Sequence, residues 1–81
     1  MKKIYVLSDS TGETAERVVR AALSQFGSTD VLIVRLAKVS SQDDIQKAVA
    51  TVTADEGLLV YTLVDSSMAI AVHTIAEENG L

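Results

Sequence analysis

Cysteine, proline and tryptophan are absent from this sequence of 81 residues, and phenylalanine and histidine each occur once. Without cysteine, the chain has no disulfide framework, no thiolate nucleophile and no thiolate zinc site. Basic residues are also scarce, because seven Lys and Arg face eleven Asp and Glu, for a net charge of −4. This balance argues against sequence-independent binding of nucleic acid, which depends on clustered positive charge. We therefore expect no nucleic-acid partner.

Long apolar runs are missing as well. None approaches the length of about 20 residues that a membrane-spanning helix needs. At the N-terminus, Lys2 and Lys3 are followed by only four apolar residues before Ser8, too few for a signal peptide. With 48% apolar and 22% charged residues, the composition is that of a globular protein. These features predict a cytoplasmic protein without a membrane partner.

Three short apolar runs, each followed by a polar turn and a helical pattern, predict the order β-α-β-α-β-α. The predicted strands cover residues 3–7, 30–36 and 58–64. The predicted helices cover about residues 11–26, then residues from Ser41 to Gly57, then residues from Asp65, Ser66 or Ser67 to Gly80. Continuous rather than alternating apolar strands are typical of a parallel sheet that is covered on both faces.

The alternation of strands and helices predicts a single α/β domain over residues 1–81, three-layered and Rossmann-like or flavodoxin-like, with a short parallel sheet. We favour the strand order 2-1-3, with 3-2-1 as the alternative. In the order 2-1-3 the first helix lies alone on one face and leaves it thinly covered. An exposed parallel edge invites a further strand or a second copy. We therefore expect an N-terminal fragment of a longer chain or an obligate oligomer such as a homodimer.

Apolar residues at helical spacing predict which helix faces are buried. These positions are Ala15, Val18, Val19, Ala22, Leu23 and Phe26 in the first helix, and Ile45, Ala48, Val49 and Val52 in the second. The third helix runs through Met68, Ile70, Val72 and Ile75, and Met68 is expected in the core. Tyr5 and Tyr61 lie within strands, where packing is their ordinary role. His73 lies in the middle of a helix, so a structural or surface role is favoured.

The turn after the first strand is the strongest candidate for a binding site. Four hydroxyl residues (Ser8, Ser10, Thr11 and Thr14) and Gly12 crowd into seven positions where a helix begins. The first turn of a helix exposes unpaired N–H groups and the positive end of its dipole, which together favour an anion. The alternative is a capping box, in which Ser10 and Glu13 merely start the helix.

A second polar cluster follows the third strand. In the order 2-1-3, Asp65 and Ser66 would face the same crevice as the first turn, although Asp65 is also a suitable N-cap. Asp9 could act as a base, bind magnesium or accept from turn amides, and the last is favoured. No metal site and no catalytic residue is identified. The candidate ligand-binding residues are Ser8, Asp9, Ser10, Thr11, Gly12, Thr14, Asp65 and Ser66.

Residues 8–14 are similar to the phosphate loop of flavodoxins, where backbone amides and hydroxyls surround the phosphate of flavin mononucleotide. Flavodoxins also stack aromatic side chains on the flavin ring. This chain has one phenylalanine, no tryptophan and two tyrosines within strands. A flavodoxin-like phosphate or flavin binder is therefore one alternative, and a ligand-free dimerisation or interaction domain is another.

A closer resemblance rests on residues 6–16, Val-Leu-Ser-Asp-Ser-Thr-Gly-Glu-Thr-Ala-Glu, together with residues 59–65, Leu-Val-Tyr-Thr-Leu-Val-Asp. Both resemble the opening of the family of pyruvate, phosphate dikinase and phosphoenolpyruvate synthase regulatory proteins. That resemblance implies a bifunctional serine/threonine kinase and phosphorylase that acts on one of those two enzymes. Such proteins use ADP to phosphorylate a threonine of the target and inorganic phosphate to remove that group.

The family's glycine- and lysine-containing nucleotide loop lies downstream of the resembling segment, and no such loop occurs in these 81 residues. The resemblance therefore implies that this chain corresponds to the N-terminal domain and is inactive alone.

Overall fold

The computed structural model describes residues 2–25, 27 and 30–81. Three strands and three helices alternate along the chain. They are β1 (Lys2–Ser8), α1 (Glu13–Gln25), β2 (Val31–Leu36), α2 (Gln42–Ala54), β3 (Leu58–Thr62) and α3 (Ser66–Glu78). This order confirms the predicted α/β architecture. Phe26, the predicted last residue of the first helix, lies outside the described residues.

The sheet has the order β2-β1-β3, as predicted, and both pairings are parallel. In register, Val6 lies beside Arg35 of β2 and beside Val60 of β3. Residues 4–8 of the central strand are all buried, because helices cover β1 on both faces. The carboxyl ends of the strands meet at one edge, where Ser8 pairs with Thr62.

The face that carries α2 and α3 holds the larger core. Its buried residues are Leu7, Val39, Ile45, Ala48, Val49 and Val72, and six partly buried apolar residues pack around them, Met68 among them. The predicted apolar face of α2 is confirmed, since all four of its predicted residues are buried. In α3, Val72 is buried but Ile70 is not. This side chain is 67% exposed, because it points away from the side that packs on the sheet.

The opposite face is covered by α1 alone, as predicted. Ile4, Val6 and Ala15 form its buried cluster, with Val19 and Leu23 packed against it. The predicted apolar face of α1 was too wide, because Val18 is 64% exposed and Ala22 is also exposed. A sheet of three strands is too narrow to cover both sides of that helix.

Helix starts follow local hydrogen-bond chemistry. The Ser41 hydroxyl accepts from the N–H of Asp44 and caps α2, as the sequence predicts. Asp65 caps α3. The capping box of Ser10 and Glu13, which was the alternative interpretation at α1, is not formed. The N–H of Glu13 approaches the Thr11 hydroxyl at 3.4 Å rather than that of Ser10, and the Glu13 carboxylate accepts from Arg17.

The two tyrosines have different environments. The ring of Tyr5 is buried and its hydroxyl donates to Asp55, which confirms the packing prediction. Tyr61 lies on the edge strand β3 and is 38% exposed, so the same prediction was wrong for it. His73 is at the surface beside Glu77, as predicted. In the part of the chain that the structure describes, no helix is long and apolar enough to cross a bilayer.

Candidate anion-binding turn at the end of β1

The turn between β1 and α1 is fixed by bonds to its own hydroxyls and to a neighbouring loop. The buried Ser8 hydroxyl accepts from the N–H of Ser10 at 3.1 Å and lies 3.3 Å from the Ser10 hydroxyl. The carbonyls of Ser8 and Ser10 accept from the N–H groups of Val39 and Lys38, at 2.9 and 2.8 Å. The turn is therefore held against the β2–α2 loop before any ligand binds.

Gly12 closes the turn with a φ of +76°, in the left-handed region that disfavours other residues. A Cβ atom at this position would lie 3.4 Å from Cδ of Arg35 and 3.6 Å from Cβ of Ser8. These are ordinary van der Waals distances, so the left-handed conformation, rather than a lack of space, favours glycine here.

Backbone amides at the start of α1 remain available. Among the described residues, the N–H groups of Thr11, Gly12 and Thr14 have no hydrogen-bond acceptor, and the contact from Glu13 N–H is long at 3.4 Å. Thr11 and Thr14 are also exposed, whereas Gly12 is buried, so the accessible unpaired amides are those of Thr11 and Thr14. Unpaired amides are expected in the first turn of a helix and are the donors that an anion uses there.

Asp9 joins the two turns that the sequence places at one crevice. Its carboxylate accepts from the N–H of Val64, in the turn between β3 and α3, at 2.9 Å. The expectation that Asp9 accepts from turn amides is confirmed, although the amide belongs to the neighbouring turn. This bond ends β3 at Thr62 rather than at the predicted Val64, because the chain turns there towards Asp9.

Asp65 acts as a helix cap. One of its carboxylate oxygens accepts from the hydroxyl of Ser67 at 2.6 Å and from the N–H groups of Ser67 and Met68. The Ser67 hydroxyl, followed by these amides, lowers the pKa of Asp65 below its usual 3.8. Ser66 is the exposed first residue of α3. Over the described residues, no group of three His, Cys, Asp or Glu could hold a metal ion.

Arg35 is the charged residue beside the turn that the sequence analysis missed. Its guanidinium lies 3.4 Å from the Thr11 carbonyl and forms an ion pair with Glu16, with Nε 2.9 Å from the carboxylate. Glu16 also pairs with Arg20, and this bond, followed by the charge of Arg35, lowers the pKa of Glu16. Arg35 is a charged residue within the apolar run of β2, which could have drawn attention to it.

Sequence comparisons with known proteins cover all or nearly all of this chain. A family model described as kinase/pyrophosphorylase matches residues 4–81. A protein of Trichlorobacter lovleyi is 85% identical over 81 residues, one of Pelobacter propionicus is 51% identical and one of Geobacter sulfurreducens is 47% identical. Each is named a pyruvate, phosphate dikinase regulatory protein, an assignment that the names mark as provisional. The alignments cover 100% of this chain but only 29–30% of each relative.

Proposed function

This chain belongs to the kinase/pyrophosphorylase family, and from that premise we propose that it forms the N-terminal part of an enzyme that regulates pyruvate, phosphate dikinase or phosphoenolpyruvate synthase. The enzyme is a transferase with two activities. It phosphorylates a threonine of its target with ADP, and it removes that phosphoryl group with inorganic phosphate and releases pyrophosphate. The names of the relatives support the dikinase as the target.

One observation carries the proposed role of this domain. At the start of α1, the unpaired amides of Thr11 and Thr14 belong to exposed residues, and the guanidinium of Arg35 lies 3.4 Å from the Thr11 carbonyl. Amides at a helix N-terminus and a nearby cation both stabilise negative charge. The turn therefore holds a phosphate group, either inorganic phosphate or the phosphoryl group that is transferred.

Phosphoryl transfer depends mainly on positioning and on charge stabilisation by donors that are already in place. The turn suits this task because its carbonyls are tied to the β2–α2 loop, so little rearrangement is needed when an anion binds. Ser10, Thr11 and Thr14 add hydroxyl donors at the same position. Asp9 holds the turn between β3 and α3, Asp65 caps α3, and Ser66 is the exposed first residue of that helix.

A chimera tests this function. The matching segment of the Trichlorobacter lovleyi relative is replaced by this chain, and transfer of phosphate from labelled ADP to pyruvate, phosphate dikinase is measured. We expect an active chimera and no transfer by the 81-residue chain alone. A chimera that folds but transfers nothing to either the dikinase or the synthase would overturn the proposal.

Gly12→Ala in that chimera tests the turn itself. We expect transfer to fall at least about tenfold, because a Cβ at this left-handed φ strains the turn that presents the amides. Gly80→Ala is the matched control, since Gly80 has a similar φ of +78° but no heavy atom within 4 Å of the added Cβ. Equal losses in the two variants would show that the turn has no special role.

A further inference from the structure

The two edges of the sheet differ in charge. Among the described strands, β2 and β3 each pair with β1 alone and form the two edges. β2 carries the charged residue Arg35, whereas β3 reads Leu-Leu-Val-Tyr-Thr and has no charged residue. Natural sheets protect a free edge with charged side chains, and an apolar edge without them readily pairs with another strand. The edge at β3 therefore has the composition of a strand with a neighbour on each side.

Apolar side chains are exposed on both faces of the sheet at β3. On the face of α1, Leu58 is 60% exposed, and a groove of about 190 Å³ is lined by Val18 and Val60. On the opposite face, Tyr61 lines a groove of about 280 Å³ together with Ala76 of α3. The strands of a parallel sheet are apolar on both faces because both faces are covered. This apolar surface is what a further strand and its flanking segments would bury.

Helix α3 returns the chain to the amino end of β3. The N–H of Leu81 donates to the carbonyl of Ala76 at 2.9 Å, and the N–H of Gly80 donates to that of Glu77 at 3.1 Å. With Gly80 at a φ of +78°, these two bonds form a Schellman motif, which ends a helix and turns the chain. Leu81 lines the same groove as Leu58, the first residue of β3. The chain therefore leaves α3 where a strand parallel to β3 would begin.

Two occupants of this edge are distinguished by strand direction. A second copy related by a two-fold axis would pair its own β3 antiparallel to this one, whereas both pairings of the present sheet are parallel. A further segment of one longer chain, entered from α3 by a right-handed crossover, adds a parallel strand instead. The relatives have room for such a segment, because this chain covers only 29–30% of their length. The longer chain is thus the better occupant.

We propose that the outer edge of β3 pairs with a parallel strand from the segment that follows Leu81 in the full-length enzyme. The inference rests on one part of the proposed function, namely that this chain is the N-terminal part of a longer protein. The carboxyl end of the added strand lies beside Thr62, next to the turn whose Val64 N–H donates to Asp9. Ligands of open parallel sheets bind beyond the carboxyl ends of the strands. The residues after the added strand therefore complete the crevice at the candidate anion-binding turn.

Amide hydrogen exchange of β3 tests the pairing. It is compared between the 81-residue chain and the chimera with the Trichlorobacter lovleyi relative. In the chimera, we expect the amides of β3 that point away from β1 to exchange at least about a hundredfold more slowly, because they gain acceptors. The outward amides of β2 are the internal control and should change less than about threefold. If the chimera does not fold, the unmodified relative takes its place, since its matching segment is 85% identical.

A charge on the edge provides a second test. Leu58→Lys should lower the melting temperature of the chimera by at least about 8 °C, because the lysine is buried there without a partner. In the 81-residue chain, where Leu58 is exposed, we expect a decrease below about 3 °C. Leu32→Lys is the matched control, since Leu32 is an exposed leucine on the other edge strand, and it should lower neither melting temperature by more than about 3 °C.

The inference is overturned if the outward amides of β3 exchange equally fast in the two proteins, or if the two lysine variants destabilise the chimera equally. It is also overturned if these amides are protected in the 81-residue chain to a degree that rises with its concentration, because the occupant is then a second copy. Exchange needs no catalysis, so unprotected amides in an active chimera would reject this pairing alone. Protected amides in a chimera that transfers no phosphate would reject the proposed activity alone.

Discussion

The two faces of the sheet bury very different amounts of apolar surface. On one face, α2 and α3 enclose a cluster with fully buried members such as Ile45, Val49 and Val72. On the other, α1 alone packs on the sheet, and a groove of about 190 Å³ between this helix and β3 is lined by Val18 and Val60. The candidate anion-binding turn begins the helix of the weaker face. The proposed site therefore lies on the face that α1 covers, which has fewer buried contacts than the face that α2 and α3 cover.

The largest effect that separates the faces should come from truncating a buried side chain. Ile45→Ala removes a fully buried side chain from the face of α2 and α3, and we expect a loss of about 3 kcal/mol in the free energy of unfolding. Val18→Ala on α1 removes a side chain that is 64% exposed, and we expect a loss below about 0.5 kcal/mol. Urea unfolding followed by circular dichroism measures both. Similar losses would mean that α1 is covered as fully as α2.

The difference between the faces was only half predictable from the sequence. Continuous apolar strands and helix-start signals were enough for the element order. The sheet order 2-1-3 was favoured over 3-2-1 by analogy with flavodoxin-like sheets, and the structure confirms it. An apolar period, however, shows which side of a helix could be buried and not whether a partner is there to bury it. Val18 and Ala22 fit the helical period of α1 and are nevertheless exposed.

The candidate site was likewise only partly predictable from the sequence. Hydroxyls and a glycine between a strand and a helix were visible in the sequence, and so was the cap at Asp65. The role of Arg35 was not, because it depends on the register that brings β2 beside β1 and on the left-handed turn at Gly12. The capping box failed because the turn positions Thr11, rather than Ser10, next to the N–H of Glu13.

Hydrogen exchange should show the weaker face directly. Amides in the middle of α1 are expected to exchange at least about tenfold faster than those in the middle of α2, because few buried contacts oppose local opening. The measurement is native-state exchange followed by NMR, with the buried strand β1 as the internal reference. Equal protection of the two helices would show that they open together and that the thin cover of α1 has no consequence for dynamics.

Helix caps provide a smaller contrast. Ser41→Ala removes the hydroxyl that accepts from Asp44 N–H at the start of α2, and a loss of about 1 kcal/mol is expected. Thr11→Ala removes the corresponding hydroxyl near α1, whose distance to Glu13 N–H is 3.4 Å, and the expected loss is only about 0.3 kcal/mol because so long a contact is weak. The urea midpoints of the two variants measure and compare these two losses of stability. A larger loss for Thr11→Ala would show that α1 depends on its cap more than on its packing.

The smallest expected effect is that of acid on the cap of α3. Protonation of Asp65 should lower the free energy of unfolding, because this carboxylate caps α3. The folded state lowers the pKa of Asp65 below 3.8 through bonds from Ser67 and then Met68. A lowered pKa contributes stability above the unfolded value that is lost as the pH falls through the folded value. Asp65→Asn keeps a capping side chain but cannot titrate.

We therefore expect the unchanged chain to be more stable than Asp65→Asn at pH 7, and the gap to close as the pH falls below 3.8. Urea midpoints between pH 7 and about pH 2.5 measure this convergence. Asp43→Asn is the control, because Asp43 is an exposed acid in the first turn of α2, and its replacement removes a charge without removing a cap. If the gap for Asp65→Asn stayed constant into acid, the bonds to Ser67 and Met68 would not depend on the carboxylate charge. The cap of α3 would then contribute by geometry alone, as the Ser41 cap of α2 does.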